Sequence, residues 1–267
     1  MGKATKATVA VKAKPAAKSA PSRMSLTEVM SALEKAGTEQ NRKTWVRHGG
    51  TGPMFGVSFA DLKTFMKRIK VDHDLALALF DTGNIDARNL AVKIADPQLM
   101  TAKDLDRWSS TGHGARGCHS YVAHLAVEGP HGLSRANAWL ESKSESQRCC
   151  GWMATGALAK LDPAVPSAWF ASRIADIQKT IHQAPNDERY AMNGALISIG
   201  CRDAGTRKAA VAAAKRIGPV SVDHGDTACE TPDAASYIEK AWANATAKGF
   251  ESPAAQERNR ESMRTRC

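Results

Sequence analysis

The feature that most constrains this chain is a recurrence. Tryptophan returns at Trp108, Trp139 and Trp169, at steps of 31 and 30 residues, each near the end of one helical stretch. Arginine returns in the stretch that follows, at Arg88, Arg148 and Arg189, within the phrases ARNLAVKIAD, QRCCGWMATGALA and ERYAMNGALISIG. Two amphipathic helices per unit of this length cannot bury their apolar stripes alone and must stack on neighbouring units. The expected fold is all-α, an α-solenoid of HEAT-like or armadillo-like helix pairs with a curved wall. Chance spacing of three tryptophans is the competing explanation.

Between these marks the apolar residues recur at three- and four-residue intervals, with no alternating Val, Ile and Thr runs to suggest strands. Ser25 to Ala36 reads as a first helix, with Ser25 and Glu28 at capping-box spacing. The segment RHGGTGPMFG, from Arg47 to Gly56, breaks the pattern with its glycines and proline. Further helices are expected at about 58–70, 73–80, 85–95, 204–217 and 234–247, with a loop over 218–233. The repeat domain is placed at 24–247. The tail 248–267, with Arg258, Arg260, Arg264 and Arg266 after Glu257, is expected to fray.

Net charge is +10, with a pI near 9.4, which points to a polyanionic partner. Lys3, Lys6, Lys12, Lys14, Lys18 and Arg23 place +6 of it in residues 1–23, where no acid occurs. Such an arm buries too little apolar surface to order itself, so disorder is expected. It is either a solubilising tail or weak targeting peptide, or a nucleic-acid-embracing arm, because lysines attract phosphates without needing structure. The six cysteines show no CxxC pair, and no apolar signal segment opens the chain. Reduced thiols and a cytoplasmic location follow as expectations, nucleoid-associated when bound to DNA. No run approaches the length of a membrane span.

Several side chains are candidates for chemistry. Arg148 and Trp152 lie four residues apart, so the guanidinium is expected over the indole, and Arg189 and Asn193 repeat the spacing. If the second helices line one wall, Arg88, Arg148 and Arg189 present forked donors to consecutive phosphates. Otherwise they pair with acidic neighbours or project into water. His113, His119, His124 and His131 lack HxxH or HExxH spacing, so no metal is expected there. VDHGDTACETPDA, from Val222 to Ala234, reads as a turn-rich loop whose Asp and Thr side chains cap backbone groups. A metal or acid–base site is its alternative. No phosphate loop or GxSxG elbow occurs, and no cofactor is expected.

Three phrases, FGVSFADLKTFMKRI, HDLALALFDTGNIDARNLAVKIADPQLMTAKDLDRW and QRCCGWMATGALA, resemble the DNA alkylation repair family, the HEAT-repeat DNA glycosylases of the AlkD type. The similarity runs from about Met24 to Ala247, and Phe80, Arg88, Ala91 and Asp106 to Trp108 carry its most specific part. The resemblance implies a curved repeat protein that grips duplex DNA in a basic groove and removes cationic alkylated purines; a monomer is expected. A carboxylate would stabilise the oxocarbenium character of the sugar as the bond breaks. The family carries it in a stretch resembling W-x-x-C-D. Here that stretch reads ARGCH: Ala115 takes the aromatic slot, Cys118 the cysteine and His119 the aspartate. Arg148 matches a family arginine that holds the backbone phosphate, and Ala195 or a neighbour replaces a second family tryptophan. A neutral imidazole lacks the negative charge and a protonated one repels the cation. The expectation is therefore a retained DNA-binding scaffold with weakened or lost excision, His119 and Arg148 being the candidate catalytic pair. An acidic-protein-binding solenoid is the alternative.

Overall fold

The computed structural model describes residues 23–111 and 116–266, without the side chains of 116–118. The arm up to residue 22, His113, Ala115, the Cys118 side chain and Cys267 lie outside the described residues. Within them the secondary structure is helical throughout, with no strand. Most helices start at a short polar residue whose side chain accepts a first-turn N–H, as Ser25, Thr38, Ser58, Asp72, Asn84, Thr101, Ser144 and Asp203 do. Each such cap contributes about 1 kcal/mol.

Three helices cap the N-terminal end. α1 (Leu26–Ala36) opens with the expected capping box, Glu28 reaching back to the Ser25 N–H at 2.7 Å. α2 (Glu39–Arg47) was not anticipated, and the reason is physical: it hides no residue, so no apolar period announces it. α3 (Phe59–Ile69) follows the glycine-rich break. That break is held by Asp86, whose carboxylate accepts the N–H groups of Phe55, Gly56 and Val57 at 2.6, 3.0 and 2.9 Å. At Gly56 φ is +81°, and a Cβ there would stand 2.4 Å from the Thr38 carbonyl oxygen, so only glycine fits.

The remaining helices alternate between two rows. The outer row is α4 (His73–Asp81), α6 (Ala102–Ser109), α8 (Gly132–Leu140), α10 (Ser167–Thr180) and α12 (Ala204–Ile217). The inner row is α5 (Ile85–Ile94), α7 (Arg116–Glu128), α9 (Glu145–Leu161), α11 (Asn186–Gly200) and α13 (Ala234–Ala247). Each inner helix packs on the next, with α9 and α11 most extensively joined. This is the stacked helix-pair solenoid that the repeat demanded.

The tryptophans are the rungs between units. Trp108 of α6 stacks on Phe80 of α4, with centroids 4.0 Å apart and planes 3° from parallel. The Trp139 indole N–H donates to Asp106 at 2.7 Å, and that of Trp169 to Asn137 at 2.9 Å, each one outer helix back. For the buried Trp139 this acceptor ties the apolar step to a polar one in the preceding unit, whereas the equally buried Trp108 has no hydrogen-bond partner for its indole N–H among the described residues.

The C-terminal segment departs from expectation. After α13 the chain forms α14 (Pro253–Arg258) and runs back over the C-terminal ends of the inner helices. Ala254 N–H donates to Cys201 O at the end of α11, at 3.0 Å. Arg258 donates to Lys160 O near the end of α9, at 3.0 Å. Ser262 and Arg264 both bond Glu128, the last residue of α7. Arg264 then donates to Val92 O and Lys93 O of α5 at 2.8 and 2.9 Å, while Lys93 Nζ returns a bond to Arg264 O at 2.9 Å. Helix C-termini carry unsatisfied carbonyls and partial negative charge, so they draw guanidinium groups. Arginine-rich ends normally read as solvated, and here they are the docking groups.

Candidate nucleic-acid interface

Four of the candidates share one structural address. Arg88, His119, Arg148 and Arg189 are each the fourth residue of their inner helix, α5, α7, α9 and α11. From there the side chain reaches back to the segment that leads into its own helix. Arg88 Nε donates to Phe80 O at 3.3 Å, with its guanidinium 5.1 Å from the Phe80 ring centre. Arg148 Nη1 donates to Ser142 O and Lys143 O, both at 3.0 Å. Arg189 Nη2 bonds His182 O and Ala184 O at 3.4 and 2.8 Å, and its Nη1 reaches Ser221 O at 2.9 Å. The recurring arginines thus line up along one edge of the solenoid, and their first partners are main-chain carbonyls.

His119 follows the same rule with different chemistry. Its Nε2 lies 2.9 Å from Ser146 Oγ and 3.3 Å from Thr111 O. Ser146 Oγ–H donates to Ser109 O at 2.8 Å, so its lone pairs face the ring. Both neighbours of Nε2 are therefore acceptors, and Nε2 carries the hydrogen. Burial pushes the His119 pKa down, partly opposed by the Thr111 carbonyl and the Asp187 carboxylate. The ring is neutral near pH 7, with Nδ1 as its lone-pair nitrogen.

Arg148 does not stack on Trp152. Both turn to Glu188 of α11, Arg148 Nε at 2.8 Å and the Trp152 indole N–H at 3.3 Å. Glu188 is 8% exposed, and a carboxylate so buried needs this compensation. Arg148 Nη2 takes part in none of these bonds. Sequence reading missed Glu188 because its partners lie 40 and 36 residues away and no local spacing links them. The thiols nearby are chemically quiet: burial raises the Cys149 pKa to about 12 and that of Cys201 to about 11.

Asn193 and Arg189 serve the 218–233 loop. Asn193 Nδ2 donates to Pro232 O at 3.0 Å, and Asn186 clasps Asp223 through both its amide atoms at 2.8 and 2.7 Å. Within the loop Thr227 Oγ1 donates to His224 O, and Gly225 N–H to the Asp223 carboxylate, the turn chemistry read from VDHGDTACETPDA. Among the described residues no three His, Cys, Asp or Glu side chains converge as they would on a metal ion. No described helix is long and apolar enough to cross a membrane.

Trp152 and Asn193 also face a cavity of about 850 Å³ over α7, α9, α11 and α13, walled on one side by the returning C-terminal segment. Arg88, Arg148, Arg189 and His119 stand outside that cavity, at the N-terminal edge of the inner helices. The site thus has two parts, a cationic edge and an aromatic hollow.

A two-row solenoid with this edge is the architecture of the HEAT-like repeat proteins, and the comparisons agree. Residues 29–238 match the DNA alkylation repair enzyme family, so the chain belongs to that family. It is 28% identical over 191 residues to uncharacterized proteins of Listeria monocytogenes and Listeria innocua, covering 70% of this chain and 83% of each relative. A solved structure superposes with a TM-score of 0.74 and 28% identity, over 85% of this chain and 96% of that one. That protein is described as one of a new family related to the HEAT-like repeat DNA glycosylases, with affinity for branched DNA structures.

Proposed function

We propose that the protein binds DNA as a monomer along the edge and hollow of its inner helices, in the cytoplasm and on the nucleoid, and excises alkylated purines weakly or not at all. The observation that carries the second half is the state of the two groups best placed for chemistry. His119, which the sequence resemblance sets at the family's carboxylate position, is a neutral ring whose Nε2–H is held by Ser146 and Thr111. A carboxylate nearby, Glu188, is neutralised by Arg148 and bonded by Trp152. Neither supplies the free negative charge that stabilises an oxocarbenium-like sugar.

Support for DNA comes from the family, from the affinity for branched DNA described for the solved relative, and from the +10 charge. Arg148 Nη2 is the donor left for a phosphate, and Lys143, exposed beside it, adds a second charge. Arg88 and Arg189 hold the turns that present this edge, Trp152 and Asn193 line the hollow behind it, and duplex is the expected minimal substrate.

Anisotropy titrations of blunt duplex at two salt concentrations test the binding, with a steep loss of affinity at the higher salt expected. Salt-independent or absent binding would defeat it. Release of alkylated base from methylated duplex tests the chemistry. Turnover equal to a family member with an intact carboxylate, abolished by His119→Ala, would overturn the second half.

A further inference from the structure

The hollow over α7, α9, α11 and α13 is large enough for a ligand of nucleotide size, since small-molecule sites span about 300–1,000 Å³. Its volume is about 850 Å³. Its walls are aromatic: Trp152 from α9, Tyr190 from α11 and Tyr237 from α13. Lysines Lys160 and Lys240 and Arg260 stand around it against one carboxylate, Glu257, so the lining carries a net positive charge.

One buried acceptor in this lining, the Asn193 Oδ1, lacks a protein donor, and His124 offers a second lone pair. Asn193 is 2% exposed, and its Oδ1 has no hydrogen-bond partner although its Nδ2 is bonded to Pro232 O. An unmet buried amide oxygen is costly unless a ligand N–H or a water O–H donates to it. His124 Nδ1 donates to Ser120 O at 2.8 Å, which leaves Nε2 as the lone-pair nitrogen. Burial lowers its pKa to about 4, so the ring stays neutral and Nε2 stays an acceptor.

Aromatic walls, cations at the rim and acceptors at the floor together select a flat ring that carries N–H donors and an attached anion. We propose that this hollow receives one unpaired, amino-bearing base of a DNA strand, its ring among the aromatic side chains, its exocyclic N–H on Asn193 Oδ1 and its phosphates toward Lys240 and Arg260. This rests on the DNA reading above and adds a preference to it. In an intact duplex the bases are stacked and their Watson–Crick donors are used, so only DNA with unpaired residues fills the hollow. An acidic peptide would meet the same cations and leave the aromatic walls unused.

The test is an anisotropy titration of the full chain with four DNAs: a blunt duplex, and the same duplex with a three-nucleotide overhang of adenine, of purine lacking the amino group, or of abasic residues. Adenine should bind about tenfold more tightly than abasic, from stacking, and about fivefold more tightly than purine, from one hydrogen bond. Asn193→Leu should erase the adenine–purine difference and keep the adenine–abasic one. Tyr190→Ala should shrink the adenine–abasic difference, and it decides the matter if Asn193→Leu does not fold. Equal affinity for adenine and abasic overhangs, with salt-dependent binding of blunt duplex intact, overturns the hollow as a base site and spares the DNA reading. No binding of any DNA removes both. Tighter binding of a ribonucleotide overhang, or displacement by a polyglutamate peptide at lower concentration than by DNA, also overturns the assignment.

Discussion

The two ends of the inner helices solve the same problem in opposite ways. At the N-terminal edge, arginines at the fourth position reach back five to eight residues to carbonyls of their own unit, as Arg148 does to Lys143 and Arg88 to Phe80. At the C-terminal edge, the carbonyls are met by one returning segment whose Arg264 bonds Val92 O from 172 residues away. Guanidinium meets carbonyl at both edges, but the first contact is local and repeated while the second is unique and distant. Local contacts stabilise each unit separately. The distant ones join the units to one another.

If that contrast is right, the largest effect belongs to the distant edge. Arg264 is 5% exposed and holds both Glu128 and the end of α5, so Arg264→Ala should cost about 4 kcal/mol, as breaking a buried pair does. Calorimetry should show Tm falling by roughly 10 °C. A shift no larger than that of an exposed Arg-to-Ala change would erase the distinction.

A second probe is pH. His124 keeps its proton less readily when folded, at about 4 against an ordinary 6.5, because it is buried and Lys160 lies near. The unfolded chain takes up that proton first as pH falls, so the contribution is whole above pH 6.5 and is lost on the way down to 4. By then about 3 kcal/mol should be gone. His124→Asn should flatten that part of the stability curve, read by denaturant titration, and an unchanged curve would contradict the burial argument.

At the local edge the effects are smaller. Arg148→Ala should cost about 2 kcal/mol of stability, because Glu188 is left buried with only Trp152 as a named partner. Combining it with Glu188→Gln should restore most of the loss. DNA affinity should fall roughly uniformly across sequences by about 1–3 kcal/mol. Unchanged binding would place Arg148 off the nucleic-acid path. Smallest of all, deleting residues 1–23 should weaken non-specific binding and leave Tm almost unmoved, and a large fall would show the arm docked.

The same contrast explains what could be read in advance. The Trp108, Trp139 and Trp169 steps, the Ser25 capping box and the Gly56 turn are written within a few residues or at one repeat period, and the fold followed from them. Arg88, Arg148 and Arg189 were legible as a series but not in their partners. The arginines were expected to meet phosphates, acids or water, and carbonyl acceptors have no residue-type signature. α2 left no trace because it buries nothing, and Glu188 none because its partners are a unit away. The tail was misread for the same reason as Glu188: burial of Arg264 depends on a surface assembled from the ends of α5 and α7, far away in the chain.

A solenoid is a spring, and its curvature ordinarily follows from the small rotation at each junction. Here the segment that returns from α13 to the end of α5 lies like a bowstring across that spring. Because it bonds the ends of α5, α7, α9 and α11, a change in the bend of the arc must strain or release those bonds, so its length is a handle on the width of what the arc embraces.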